Sequence, residues 1–131
     1  MREYFTLREV PFNAWIGVSI ERQDFDWRLD YLRQIKAEIR WVSCEPLIGP
    51  LQLNLQGIHW VVVGGETAGP GQKARLMETD WARSIRDQCK SAGVAFLFKQ
   101  WGDASLETGR WLDGLIHDDY ATQAKLQEAL F

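Results

Sequence analysis

Three observations predict an α/β protein whose strands run parallel. Short apolar runs recur along the chain: Trp15-Ile16-Gly17-Val18-Ser19-Ile20, Ile39 to Ser43, Ile58 to Val63 and Val94 to Phe98. Runs of this kind suit parallel strands covered on both faces, whereas half-solvated antiparallel strands alternate. Segments with helical spacing follow the first and third runs, and a repeated strand-then-helix unit gives parallel neighbours. The third observation is chemical: the first three runs each deliver a carboxylate at or just past the carboxyl end, as Glu21, Glu45 and Glu66. In α/β sheets and barrels that is the end where sites are built.

With 131 residues, 46% of them hydrophobic and 25% charged, the chain has the size and balance of one soluble globular domain spanning residues 1–131. Its seven tryptophans are expected as core and interface fillers. A net charge of −3 argues against nonspecific nucleic-acid binding, which needs a basic footprint. No apolar run reaches the length of a membrane span, and Met1 to Val10 carries Glu and Arg where a signal peptide needs an apolar segment. The expected location is cytoplasmic. Two cysteines, Cys44 and Cys89, are too few and too far apart for a Cys-x-x-Cys metal site, so no metal is expected. A disulfide between them is not expected in a reducing compartment.

The elements follow in order. Residues 1–14 are mixed, and Pro11 forces an extended or turn geometry before the first strand, Trp15 to Ile20. Gly17 within that strand marks a close backbone approach. Asp24 or Asp26 caps a helix whose Phe25, Leu29, Leu32 and Ile35 share one face, ending near Ala37 or Glu38. The strand Ile39 to Ser43 then stops at a Ser43-Cys44-Glu45-Pro46 tip that looks exposed. From Glu45 to Gly57 the chain carries Pro46, Gly49 and Pro50, then alternating Leu51, Leu53 and Leu55. That is too short and too broken for a crossover helix, so an extended loop over apolar surface, with a short 3₁₀ turn, is expected.

The strand Ile58 to Val63 runs into a glycine-rich stretch, Gly64 to Arg75. Glycine there lets backbone N–H groups approach a ligand, and Lys73 with Arg75 would neutralise an anion. No Gly-Lys-Ser/Thr opens a helix, so the phosphate-loop motif is not matched, and a plain connection is an equal alternative. Thr79 is placed to cap a helix from Asp80 to Ser91, with Trp81, Ile85, Cys89 and Ala92 on one stripe and Gly93 as its left-handed end. The strand Val94 to Phe98 ends in Lys99-Gln100-Trp101-Gly102. Asp103 to Arg110 reads as a loop, Trp111 to Gly114 as a short strand or turn, and Tyr120 to Phe131 as a last helix with Ala124, Leu126 and Leu130 partly apolar.

The blocks Ser43-Cys44-Glu45-Pro46-Leu47, Val63-Gly64-Gly65-Glu66 and Phe98-Lys99-Gln100-Trp101-Gly102 together resemble the carboxyl-terminal half of the phage protein family numbered thirty-seven/sixty-eight. That family is a domain of unknown function similar to radical S-adenosylmethionine enzymes. The resemblance covers residues 13–102, and the tail 103–131 departs from it. It implies half of a TIM-type barrel, about four parallel strands with flanking helices. Relatives carry closely spaced cysteines in an amino-terminal half, and such cysteines hold an iron–sulfur cluster in radical enzymes. This sequence has no cluster ligands, so the expectation is a chain that does not by itself make a radical from S-adenosylmethionine.

What the resemblance leaves is a wall for substrate or cofactor, with S-adenosylmethionine as the candidate cofactor. Glu21, Glu45 and Glu66 would face one mouth beside Ser19, Gln23, Ser43, Gly64, Gly65, Lys99 and Gln100. The carboxylates would accept hydrogen bonds from a ligand's hydroxyls or amine, and Lys99 would meet its carboxylate or phosphate. The alternative is that they pair with Arg22, Arg40, Arg75 and Lys99 as structural ion pairs. Cys44 joins the set as a candidate nucleophile, although no histidine is near it in sequence and His59 falls at the opposite end of its strand. Half a barrel leaves an apolar inner face to cover, so a homodimer or a partner carrying the missing half is expected, with Trp15, Trp41, Trp60 or Trp101 at the interface. Two function classes stay open: a ligand-binding domain, catalytic or not, and a non-enzymatic interaction module or truncated gene product.

Overall fold

The computed structural model describes residues 13–121; Pro11 and the helix expected beyond Ala121 lie outside the described residues. Strands β1 (Trp15–Ser19), β2 (Ile39–Cys44), β3 (Trp60–Gly64) and β4 (Ala95–Gln100) form one sheet in the order β1-β2-β3-β4. Each neighbouring pair is parallel. Helix α1 (Arg28–Arg33) connects β1 to β2, and α2 (Thr79–Ala92) connects β3 to β4. The result is a mixed α/β fold with a four-stranded parallel sheet.

Strand periodicity sorts the side chains into two faces. Val42 and Cys44 of β2, Val61 and Val63 of β3, and Phe96 and Phe98 of β4 share one buried cluster with Leu29 and Leu32 of α1 and Ala82, Ile85 and Cys89 of α2. Both helices therefore cover the same side of the sheet. Right-handed crossovers between sequential neighbours place them there. Between β2 and β3, where no helix forms, Leu51, Leu53 and Leu55 are buried while Gln52, Asn54 and Gln56 point outward. The extended loop thus stands in for a crossover helix, without the expected 3₁₀ turn. Gln88 of α2 clamps it through the Leu53 N–H (2.8 Å) and the Leu51 carbonyl (2.8 Å).

Several boundaries differ from expectation. The first helix shrinks to a 3₁₀ turn, Gln23–Phe25, followed by the six residues of α1. Neither Asp24 nor Asp26 caps it: Asp24 pairs with Arg22, and Asp26 accepts from Gln23, whose amide also binds both backbone groups of Gln52. These contacts tie the turn to the β2–β3 loop and delay the helix. Thr79 is the first residue of α2 rather than its cap, and Glu78 takes the cap position without a side-chain bond. Ala92 is exposed, and Ala82 takes its expected place on the buried stripe. Gly93 does end α2 in the left-handed conformation, with the Val94 N–H reaching back to the Cys89 carbonyl at 2.9 Å.

Residues 103–121 belong to the fold. Strands β5 (Trp111–Leu112) and β6 (Leu115–Ile116) form a hairpin whose tip residues, Asp113 and Gly114, both have positive φ. A tight two-residue turn that matches strand twist requires this, and Asp-Gly tolerates it. Asp113 accepts hydrogen bonds from Arg83 and Arg86 of α2, which hold its carboxyl down at about 2. His117 to Asp119 then runs antiparallel along β4: Phe98 N–H donates to the His117 carbonyl (2.9 Å) and Asp119 N–H to the Phe96 carbonyl (3.2 Å).

Candidate functional site

The face away from the helices is graded along the strands. Its amino end is aromatic. Trp60 meets Trp15 at 6.1 Å, Trp41 at 5.6 Å and Tyr120 at 6.0 Å between ring centroids. Trp15 stays 44% exposed and Tyr120 51%. A Cβ at Gly17 would collide with the Trp41 indole, so this glycine makes room for a ring lying across β1. The close approach read from Gly17 is therefore made by a side chain. One step toward the carboxyl end, Ser19 and Ser43 stand opposite each other in register. Trp41 and Ser43 consequently follow one another along a single face of β2, with Glu45 just past its end.

Glu45 closes the sequence. Its carboxylate receives the Gln100 amide at 2.9 Å and the Lys99 ammonium at 3.1 Å. Two consecutive residues of β4 reach the same carboxylate because the register slips there: Val63 faces Phe98, yet Gly64 faces Gln100. Such a bulge re-aims side chains at the end of a strand. Gly64 lacks the Cβ that would press on Glu45, with nearest approach 3.1 Å. Gln100 also donates to the Gly65 carbonyl at 3.1 Å, which fixes its amide. The two contacts differ in kind, since Gln100 is half-buried while the Lys99 side chain is 54% exposed. A Cβ at Gly65 would overlap the Trp101 carbonyl, so the Gly-Gly and Trp-Gly blocks interlock backbone to backbone.

The remaining carboxylates lie at neighbouring strand ends but each has its own partner. Glu66 is gripped by Arg75 at 2.7 and 3.1 Å, which lowers its carboxyl below the usual range. Glu21 lies 3.7 Å from Arg28, not beside Arg22. Arg40 donates instead to the carbonyls of Gly57 and Ile35. Glu45, Gly64, Gly65, Lys99 and Gln100 are therefore brought together, with Ser19 and Ser43 one row away on the same face. Gln23 is a loop tether.

Cys44 corrects the expectation of an exposed tip. It lies on the helix-covered side, fully buried, and burial pushes its thiol far above the ordinary value. A buried, protonated thiol makes a poor nucleophile. His59 is at the amino end of β3, where its Nδ1 accepts the Arg40 N–H at 3.0 Å. Trp101 is only 6% exposed and donates to the Trp111 carbonyl, so it is a core residue and not an interface one. The contributions of Tyr120, Asp113 and the Lys99–Gln100 bulge were not read from the sequence. The period-two spacing of Trp41, Ser43 and Glu45 was the available signal for this face.

A surface groove of about 780 Å³ lies between the β2–β3 loop and α2, lined by Leu53, Arg83 and Gln88 among others, and shares no residue with the Glu45 cluster. Its charges are paired with one another, Arg86 with Asp87 and Asp113, Arg83 with Asp80 and Asp113, which leaves the graded face as the better-organised site. Among the described residues no group of His, Cys, Asp and Glu is arranged to hold a metal ion, and no helix is long and apolar enough to cross a membrane. A family model described as protein of unknown function (DUF5131) matches residues 1–121. No curated protein and no solved structure matches the chain.

Proposed function

We propose a function for this chain, which belongs to the DUF5131 family of proteins of unknown function: it is the ligand-binding wall of a barrel-like α/β assembly. The ligand is small and polar, held on the open sheet face at the carboxyl end of β2. The observation that carries this reading is the order aromatic, hydroxyl, carboxylate along Trp41, Ser43 and Glu45, with Gln100 orienting the carboxylate at 2.9 Å. An aromatic floor with a few convergent polar groups is the usual make-up of a small-molecule site. Glu45 would accept from a ligand's amine or hydroxyls, Lys99 would meet an anionic group, and Ser19 and Ser43 would bond its polar edge. The sequential strand order β1-β2-β3-β4 with helices on one side supports the barrel-like part of this reading.

The resemblance to the phage family and to radical S-adenosylmethionine enzymes names the first ligand to try, S-adenosylmethionine, in a cytoplasmic protein. Cys44 and Cys89 are both core residues, so cluster ligands would come from another chain or segment. This half of the barrel is then not catalytic alone. Titration calorimetry with S-adenosylmethionine is the test. Saturable binding, weakened at least tenfold (about 1.4 kcal/mol) by Glu45→Gln without loss of folding, is expected. No binding, or binding indifferent to Glu45→Gln, overturns the reading. A second reading, an assembly module without ligand, is favoured by the exposure of Trp15 and Tyr120. It predicts that Trp15→Ala changes the oligomeric state while Glu45→Gln changes nothing.

A further inference from the structure

The two edges of the sheet are treated differently. On the β4 side, His117 to Asp119 occupies the backbone groups of Phe96 and Phe98. On the β1 side, β2 is the only neighbouring strand among the described residues. The ladder fixes which groups of β1 face outward. Ile20 N–H donates inward to the Ser43 carbonyl (2.9 Å), and the Ala14 carbonyl accepts from Glu38 (3.1 Å). Backbone direction alternates, so the N–H and C=O of Trp15, Gly17 and Ser19 point away from β2. The Ser19 carbonyl confirms this, since it accepts from the Arg28 side chain at 2.7 Å. The other outward groups have no partner among the described residues.

Natural edge strands are usually blunted by charge, proline or a bulge. Trp15–Ser19 carries no charge of its own, no proline and an unbroken register with β2, and only its Ser19 carbonyl is met by a charge, the Arg28 guanidinium. Its residues are also more exposed than those of β2, β3 or β4, although its composition is that of a central strand. We infer that this edge pairs antiparallel with β1 of a second copy of the chain, about a two-fold axis at Gly17, to give a continuous eight-stranded sheet. The strand is self-complementary about that axis, as an isologous contact requires. Gly17 N–H donates to the Gly17 carbonyl of the second copy and the reverse. Trp15 stands opposite Ser19 on the open face, and Ile16 opposite Val18 on the helix-covered face. Ile16 and Val18 are half-buried in one copy, so pairing extends the apolar layer across the axis. Arg28 already holds the Ser19 carbonyl, so the backbone bonds across the axis are the Gly17 pair and the Ser19 N–H to the Trp15 carbonyl of the second copy.

This pairing is independent of ligand binding, though it would leave no place for a further parallel barrel strand beside β1; a monomer that binds S-adenosylmethionine would overturn it and leave the ligand site intact. Sedimentation velocity of the full chain across a dilution series should show a species of twice the chain mass. Hydrogen exchange at the Gly17 and Ser19 amides should slow at least tenfold as concentration rises through that transition. Ser19→Pro deletes an outward N–H that the chain's own sheet does not use, and should weaken dimerisation at least tenfold. A monomer at every concentration overturns the proposal. So does amide protection that ignores concentration, the result if the chain's own amino-terminal residues fill the edge. A dimer indifferent to Ser19→Pro places the contact on another surface. Should Ser19→Pro fail to fold, exchange in the unmodified chain decides alone.

Discussion

The two faces of the β-sheet share the same strands and do opposite work. Toward the helices, Val42, Cys44, Val61, Val63, Phe96 and Phe98 are all buried and apolar. On the other side, neighbours one residue along the same strands are mixed: Trp41, Ser43 and Trp60 are half-buried and Lys99 exposed, while Val62 and Leu97 are buried. Period two makes this division possible, because each strand can be selected for packing at one parity and for polar presentation at the other. The site then sits on the rigid element that the core has already fixed, which is the condition for holding polar groups in place.

Substitutions on the two faces should therefore separate stability from binding. The largest loss is expected at Phe98, fully buried and 5.0 Å from the Trp101 ring: Phe98→Ala should lower the unfolding free energy by about 3–5 kcal/mol, read from the urea midpoint. A smaller effect should come from acid. The Asp113 carboxyl titrates at about 2, below its ordinary 3.8, because Arg83 and then Arg86 bond it. Its contribution is thus complete above about pH 4 and lost as pH falls toward 2. In Asp113→Asn the melting temperature should fall less steeply over that window than in the unmodified chain. Smallest on stability is Glu45→Gln. The Lys99 side of the pair is open to solvent, pairs of that kind contribute roughly 0–1 kcal/mol, and Gln keeps the shape that receives the Gln100 amide, so the urea midpoint should barely move while ligand affinity drops. A large stability loss at Glu45 would make the cluster a structural ion pair and dissolve the contrast between the faces.

The parallel strands were legible because their apolar runs are long and their helices periodic. The β2–β3 connection was legible too, since Pro46, Gly49 and Pro50 forbid a helix and alternating leucines require one buried side. Helix starts were less so. Asp24, Asp26 and Thr79 are good caps in isolation, but tertiary bonds such as Gln23 to Gln52 decide where the turn goes. Cys44 departs from the expected exposed tip because β2 keeps its alternation one residue past Ser43 and turns the thiol inward. For the candidate site, the carboxylates at strand ends were visible in order, but their partners were not. Pairing Glu45 with Lys99 and Gln100 depends on a register slip between β3 and β4, and Arg28 reaches Glu21 only because α1 begins late. The docking of the hairpin through Asp113 is long-range and leaves no local pattern beyond Asp-Gly.

The central claim is that the open face, and not the helix-covered side, receives the ligand. Tryptophan indole N–H signals in a nitrogen-15 correlation spectrum test it directly, because Trp15, Trp41 and Trp60 lie on that face while Trp27 and Trp81 lie on the helical side. Titration with S-adenosylmethionine should shift Trp41 and its ring neighbour Trp60 and leave Trp27 and Trp81 in place. Shifts confined to Trp27 or Trp81, or no shift at saturating ligand, would contradict the account.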